Sequence, residues 1–227
     1  MKKYNEELYS TETEWNKNRG IGGSDLAKIF NKNKYGDINE LYDRLVLGKI
    51  KEIPQNKRMI EGKKAETHIR ELVALDLGDT WKLISPPKRK FWLFRSFINK
   101  YITYTPDGLL LNKKAKQKFI LEVKDIELRT RKDIEDWSSG AITPQYLFQL
   151  LQGLIVLNDF DGCLFVVHLK HYKQQDNEWV FDYSEERLYW LYRVDCIDQI
   201  EKALVGELKF ISTNIEGRVR PKTILNL

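Results

Sequence analysis

The chain has 227 residues, 42% hydrophobic and 12% aromatic, which is enough to bury a core, and no apolar run approaches the roughly 20 residues needed to cross a bilayer. Its 38 basic and 33 acidic side chains leave a net charge of +5, a mild excess that suits a polyanionic partner without requiring one. Two distant cysteines, Cys163 and Cys196, argue against a Cys-built zinc or iron–sulfur centre, and MKKYNEELYS lacks the apolar stretch of a secretory signal, so the expectation is a cytoplasmic protein with reduced core thiols.

In chain order, residues 5–18 read as a short polar helix carrying Leu8 and Trp15. Gly20-Ile21-Gly22-Gly23 follows as a tight turn, and Ser24 is a suitable N-cap for a helix over 25–30. Asp37 and Glu40 form a capping-box-like start to a helix ending near Gly48. In 60–77, Ala65, Ile69, Leu72, Val73 and Leu77 recur at helical spacing, and Gly78 ends the run. Aromatic and β-branched residues then predict strands at 81–84, 91–97 and 101–104. Pro106-Asp107-Gly108 signals a turn into a strand at 109–111, a loop rich in lysine follows, and 119–124 has the strongest strand character in the chain. Thr130 and Thr143 are candidate helix caps, and 146–157 is apolar around much of its circumference, as in a buried helix. Strands are predicted at 163–169 and 179–183, then an amphipathic helix capped by Ser184 and running to about Leu204, then an extended tail over 216–227. The expectation is one domain with a core of about 19–183 and a C-terminal helix and tail over 184–227. The order of elements predicts an α/β chain with a central mixed β-sheet flanked by helices.

The residues that carry chemistry are acidic. Side chains alternate along a strand, so Glu122 and Lys124 share one face of 119–124 while Val123 points the other way. A hairpin closed by the basic loop would set Asp107 beside Glu122. Two adjacent carboxylates repel, and a divalent cation relieves that repulsion; an all-oxygen donor set suits Mg²⁺ or Mn²⁺ rather than zinc. The other Glu-x-Lys strings, Glu61-Gly62-Lys63 and Glu207-Leu208-Lys209, fall in helical sequence and read as solvated pairs. His68, His168 and His171 read as structural or solvated, and Trp81, Phe91, Trp92 and Phe94 as sheet core.

Taken together, Arg19-Gly20-Ile21-Gly22-Gly23-Ser24-Asp25, Gly62-x-x-x-Glu66, Pro106-Asp107-Gly108, Leu121-Glu122-Val123-Lys124 and Tyr146-x-x-Gln149 resemble the YqaJ-like viral recombinase family, which includes lambda exonuclease and belongs to the PD-(D/E)XK nuclease superfamily. The resemblance runs from about Arg19 to Leu169 and implies a restriction-endonuclease-like core, a divalent-metal site and phosphodiester hydrolysis. By position it implies metal ligation by Asp107, Glu122, Glu66 and the Val123 carbonyl, stabilisation of developing charge by Lys124, and a supporting role for Gln149. It also implies that Arg19 and Ser24 bind a phosphate. The glycines would let backbone approach the anion, and a helix starting at Ser24 would offer free N–H groups. The sequence departs from the family pattern at Leu151, where a second glutamine is common; Gln152 stands one step later.

The reading that follows is a 5′→3′ exonuclease on double-stranded DNA ends, working in phage-type recombination beside a strand-annealing protein. The resemblance further implies a homotrimeric ring around DNA. A site- or structure-specific endonuclease on the same scaffold, and a nucleic-acid-binding protein without catalysis, are the alternatives.

Overall fold

The computed structural model describes residues 2–34, 36–50 and 57–222. At its centre is a five-stranded sheet in the order β2 (Trp81–Ile84), β5 (Gly108–Asn112), β6 (Lys118–Leu128), β7 (Gly162–Gln175), β8 (Glu178–Tyr192). It is mixed: β6 and β7 run parallel, and the other neighbours are antiparallel. A second, three-stranded antiparallel sheet has the order β1 (Tyr4–Tyr9), β3 (Phe91–Ser96), β4 (Thr103–Tyr104). The helices are α1 (Glu12–Asn18), α2 (Gly23–Ile29), α3 (Ile38–Leu47), α4 (Lys57–Leu77), α5 (Arg131–Ser138), α6 (Pro144–Val156) and α7 (Ile197–Phe210).

The period of two along β6 divides the core. Ile120 points into the larger cluster, with Leu26 of α2, Leu150 and Leu154 of α6, and Phe165 of β7. Phe119, Leu121 and Val123 point the other way, against Ile69 and Val73 of α4. Each such side chain contributes about 1.5–3 kcal/mol when fully buried, so the two layers clamp β6 from both faces. The parallel β6–β7 pair needs a crossover, and α5 and α6 supply it. Thr130 caps α5 through its hydroxyl, which accepts from the Asp133 N–H at 3.1 Å, and Thr143 stands at the N-cap of α6 with Pro144 behind it. Asp37 and Gly48 cap α3 as the sequence predicts. Cys163 and Cys196 are buried free thiols.

The ends of the chain depart from expectation. The predicted helix over 5–18 is a strand followed by a seven-residue helix. Cross-strand pairing outweighs the helical propensity of Glu6-Glu7-Leu8: Glu6 accepts from the Trp92 indole at 2.6 Å, and Glu7 takes the Arg95 guanidinium at 2.7 and 2.9 Å. The predicted helix from Ser184 is also strand, and β8 pairs with β7 as far as Tyr192. Half-buried Glu185, Arg187, Tyr189 and Leu191 alternate with exposed residues, which is strand periodicity, and the run Leu188–Tyr192 is rich in aromatics. The helix starts only at Ile197, after one turn of 3₁₀ helix. Ser24 is not an N-cap: Gly22 holds that position, and Ser24 lies inside α2. The expected tail over 216–227 is described to residue 222, where Arg220 pairs with Asp43. No described helix is long and apolar enough to cross a membrane.

Candidate active site

The β5–β6 hairpin pairs Gly108 with Leu121, so one step further along the register Asp107 faces Glu122. The Asp107 carboxylate accepts from the Val123 N–H at 2.8 Å, which anchors the turn to the strand. Arg70 of α4 donates to the Asp107 carbonyl at 2.9 Å. Glu122 is 2% exposed, and its carboxylate is surrounded by donors. Tyr104 O–H reaches Oε2 at 2.6 Å, Lys124 Nζ reaches Oε1 at 2.5 Å, and Gln149 Nε2 also donates to Oε1. Lys124 Nζ donates as well to the Val123 carbonyl at 3.0 Å and stands 4.0 Å from Asp107 Oδ2.

The electrostatics follow from burial and crowding. Desolvation, with the Asp107 charge beside it, pushes the Glu122 carboxyl up to about 7 despite Lys124 and Tyr104. Glu66 is raised by the same causes, burial and then Asp107. Lys124 is held above the ordinary lysine range, because Glu122, Asp107 and Glu66 outweigh its burial, so it stays charged. The Tyr104 hydroxyl is also raised well above its ordinary value, by burial and then Glu122, and remains a donor.

Asp107, Glu122, Lys124 and Gln149 wall one cavity of about 210 Å³, together with Arg19 and Ser24. Glu66 lies outside that wall; it reaches the cluster from α4 as a charge felt by Lys124. Among the described residues no three acidic, histidine or cysteine side chains are grouped closely enough to hold an ion. Here the Lys124 ammonium is the cation between Glu122 and Asp107. In donor chemistry the residues fit a hard divalent ion: the carboxylates of Asp107, Glu122 and Glu66 outnumber the one ammonium, and the Asp107 charge raises both glutamates.

The loop bearing Arg19 is fixed from three sides. Ile21 N–H donates to the Tyr101 carbonyl at 2.6 Å, and Thr103 N–H donates to the Ile21 carbonyl at 3.0 Å. Gly20 lies so close to the segment just before strand β4 that a Cβ would run into the Tyr101 carbonyl, and a Cβ on Gly23 would stand 2.7 Å from Gln149 Cγ. Arg19 rests on the Trp15 ring with its guanidinium carbon 5.2 Å from the centroid, and donates to Ser24 Oγ at 3.3 Å and Asp25 Oδ2 at 3.4 Å. Buried Asp25 also takes Arg44 at 2.7 Å, Lys28 at 3.1 Å and the Gly22 N–H at 3.1 Å; the three cations hold its carboxyl down to about 2 against the cost of burial. The Arg19 corner therefore carries a net positive charge.

Several contributing residues escape a sequence reading. Tyr104 and Arg70 belong to no motif of the family resemblance, and Arg44 of α3 joins the Asp25–Lys28 pair of α2 only in three dimensions. Glu207 corrects the reading of its Glu-x-Lys string as a solvated pair. It is fully buried and accepts from Gln152 Nε2 at 2.8 Å, while Gln152 also donates to the Ile21 carbonyl at 3.0 Å. The histidines are structural or solvated as expected: His168 meets Asp125 at 2.9 Å, His171 meets Glu185 at 3.3 Å, and His68 is exposed.

The fold is similar to that of "alkaline exonuclease (LHK-Exo) from Laribacter hongkongensis", at a TM-score of 0.56 and 20% identity over 91% of this chain and 95% of that one. The structure of LHK-Exo in complex with dAMP gives a TM-score of 0.54 and 21% identity over 92% and 96%. These likenesses bear out the expected α/β fold, a central mixed sheet flanked by helices. No curated protein matches the sequence. Residues 14–158 match the YqaJ-like viral recombinase domain, and since that span exceeds half of the 227 residues, the chain belongs to the YqaJ-like viral recombinase family.

Proposed function

We propose that the protein is a Mg²⁺- or Mn²⁺-dependent DNA nuclease, a 5′→3′ exonuclease acting on double-stranded ends in phage-type recombination. The observation that carries the reading is Glu122: a buried carboxylate at a strand centre, opposite Asp107 and joined to a charged lysine, in a cavity that Arg19 makes basic. Burying such a cluster costs several kcal/mol per ion and is a poor way to gain stability, so a functional role accounts for it better. Family membership and the likeness to alkaline exonucleases support the same reaction.

In this proposal Asp107, Glu122, Glu66 and the Val123 carbonyl hold the divalent ion, which when bound supplies Lewis-acid stabilisation of the phosphoryl oxygens. Lys124 remains protonated and places a fixed positive charge where the phosphorus centre gains negative charge in the transition state. Tyr104 and Gln149 hold Glu122 in position by donating to its two oxygens. Arg19 and Ser24 bind the terminal phosphate. They share a wall with the carboxylates, and Arg19 offers a planar charged donor. Hydrolysis adds water across one P–O bond, leaving a hydroxyl on one product and a phosphate on the other. A strand-annealing protein as partner and a homotrimer encircling DNA belong to the same proposal.

The test is digestion of an end-labelled linear duplex with Mg²⁺, with Mn²⁺ and with chelator. Loss of label with either ion and none with chelator is expected; no degradation in any divalent ion would leave a nucleic-acid-binding protein. A duplex with blocked 5′ ends separates the two nucleases, since an exonuclease stalls on it and an endonuclease still cuts.

A further inference from the structure

A larger cavity of about 670 Å³ lies beyond Arg19, walled by Lys17, Arg19, Arg44, Arg95, Lys100 and Glu7. Two of these cations are already neutralised, because Arg95 pairs with Glu7 at 2.7 Å and Arg44 with Asp25 at 2.7 Å. Lys17 and Lys100 are exposed and pair with no carboxylate among the described residues. The Lys100 ammonium lies over the Tyr101 ring, 5.1 Å from its centroid. Tyr101, Leu45 and Ile50 give the same cavity an apolar wall. Uncommitted ammonium groups beside aromatic and apolar surface suit a sugar-phosphate chain, whose charge and bases both need a partner. Arg19 lines this cavity and the carboxylate pocket alike, so the two adjoin at its guanidinium.

We propose that this cavity binds the phosphodiester backbone of a single-stranded segment continuous with the strand held at the carboxylates. The inference rests on the nuclease reading and extends it to ends with single-stranded overhangs. On a flush end Arg19 meets a terminal phosphate. On an overhang it meets an internal one, and the next phosphates lie against Lys17 and Lys100.

The experiment is fluorescence anisotropy of a labelled oligo-dT hexanucleotide with the full chain in chelator, so that no cutting occurs. K17Q/K100Q removes two phosphate contacts, each contributing about 0.7 to the slope of log affinity against log salt, so the slope should fall by about 1.4 and binding at 0.1 M salt should weaken on the order of twentyfold. K132Q/K202Q makes the same charge change on exposed faces of α5 and α7, and should leave binding unchanged. Thermal unfolding checks that both variants fold. Unchanged binding or an unchanged slope in K17Q/K100Q overturns the proposal, as does displacement of the hexanucleotide by equimolar dTMP, which would mark a mononucleotide site. The nuclease reading fails separately: lysine-dependent binding without digestion in any divalent ion sinks that reading and spares the cavity.

Discussion

Replacing Glu207 with glutamine should stabilise the protein, and increasingly so as pH rises. Glu207 Oε1 accepts from Gln152, but Glu207 Oε2 and Gln152 Oε1 both lack a partner, so the pair needs one more proton. A protonated carboxyl or an amide supplies it. Burial, with the Asp25 charge adding to it, pushes the carboxyl from 4.5 to about 8. Because the folded value is the higher one, the folded chain keeps a proton that the unfolded chain releases. Stability is therefore greatest below 4.5 and declines as pH rises through about 8. At about 1.4 kcal/mol per pH unit the whole window amounts to about 5 kcal/mol. Glutamine does not titrate, so E207Q lacks this decline. Urea unfolding of both proteins at pH 5 and pH 8 should show the advantage of E207Q growing on the order of 3–4 kcal/mol. A difference between the two proteins that is constant across pH would refute a neutral buried Glu207.

Other substitutions probe the pocket and its support. Lys124→Ala should lower the rate of hydrolysis about 10²–10³-fold, as loss of a charge-stabilising donor does, while DNA binding in chelator stays near wild type; equal loss of binding would contradict the assigned role. Asp25→Asn leaves Arg44 part-buried without its counter-charge and should cost about 3–5 kcal/mol at pH 7, measured by urea unfolding. The Asp25 carboxyl is depressed from 3.8 to about 2, so its contribution is present above 3.8 and fades as pH falls through about 2, and the penalty of D25N should shrink over that range. Gly20→Ala must displace the Tyr101 carbonyl and should lower stability by about 1–3 kcal/mol in the same assay.

The sequence makes the middle of the chain legible because local and long-range preferences agree there. Residues 60–77 repeat at helical spacing, Asp37 and Gly48 punctuate a helix, and Pro106-Asp107-Gly108 turns into a hairpin whose register can be counted from its loop. The pairing of Asp107 with Glu122 follows from that counting. The ends are misread where pairing partners decide the outcome. Glu6 and Glu7 favour a helix until Trp92 and Arg95 stand opposite, and residues 184–192 carry enough leucine to imitate a helix face until β7 lies alongside. The supporting residues are hidden for a related reason. Tyr104, Gln152 and Glu207 act through partners distant in sequence, and nothing in the string Glu207-Leu208-Lys209 separates a buried carboxyl from a solvated one.

The most direct measurement is anomalous diffraction from crystals of the protein soaked in Mn²⁺, with Asp107→Asn in parallel. The account predicts a manganese peak at the Asp107 and Glu122 carboxylates of the wild type and a lost or weakened peak in the variant. A fully soaked crystal with Lys124 still bridging Glu122 and no peak beside it would contradict a metal-dependent site.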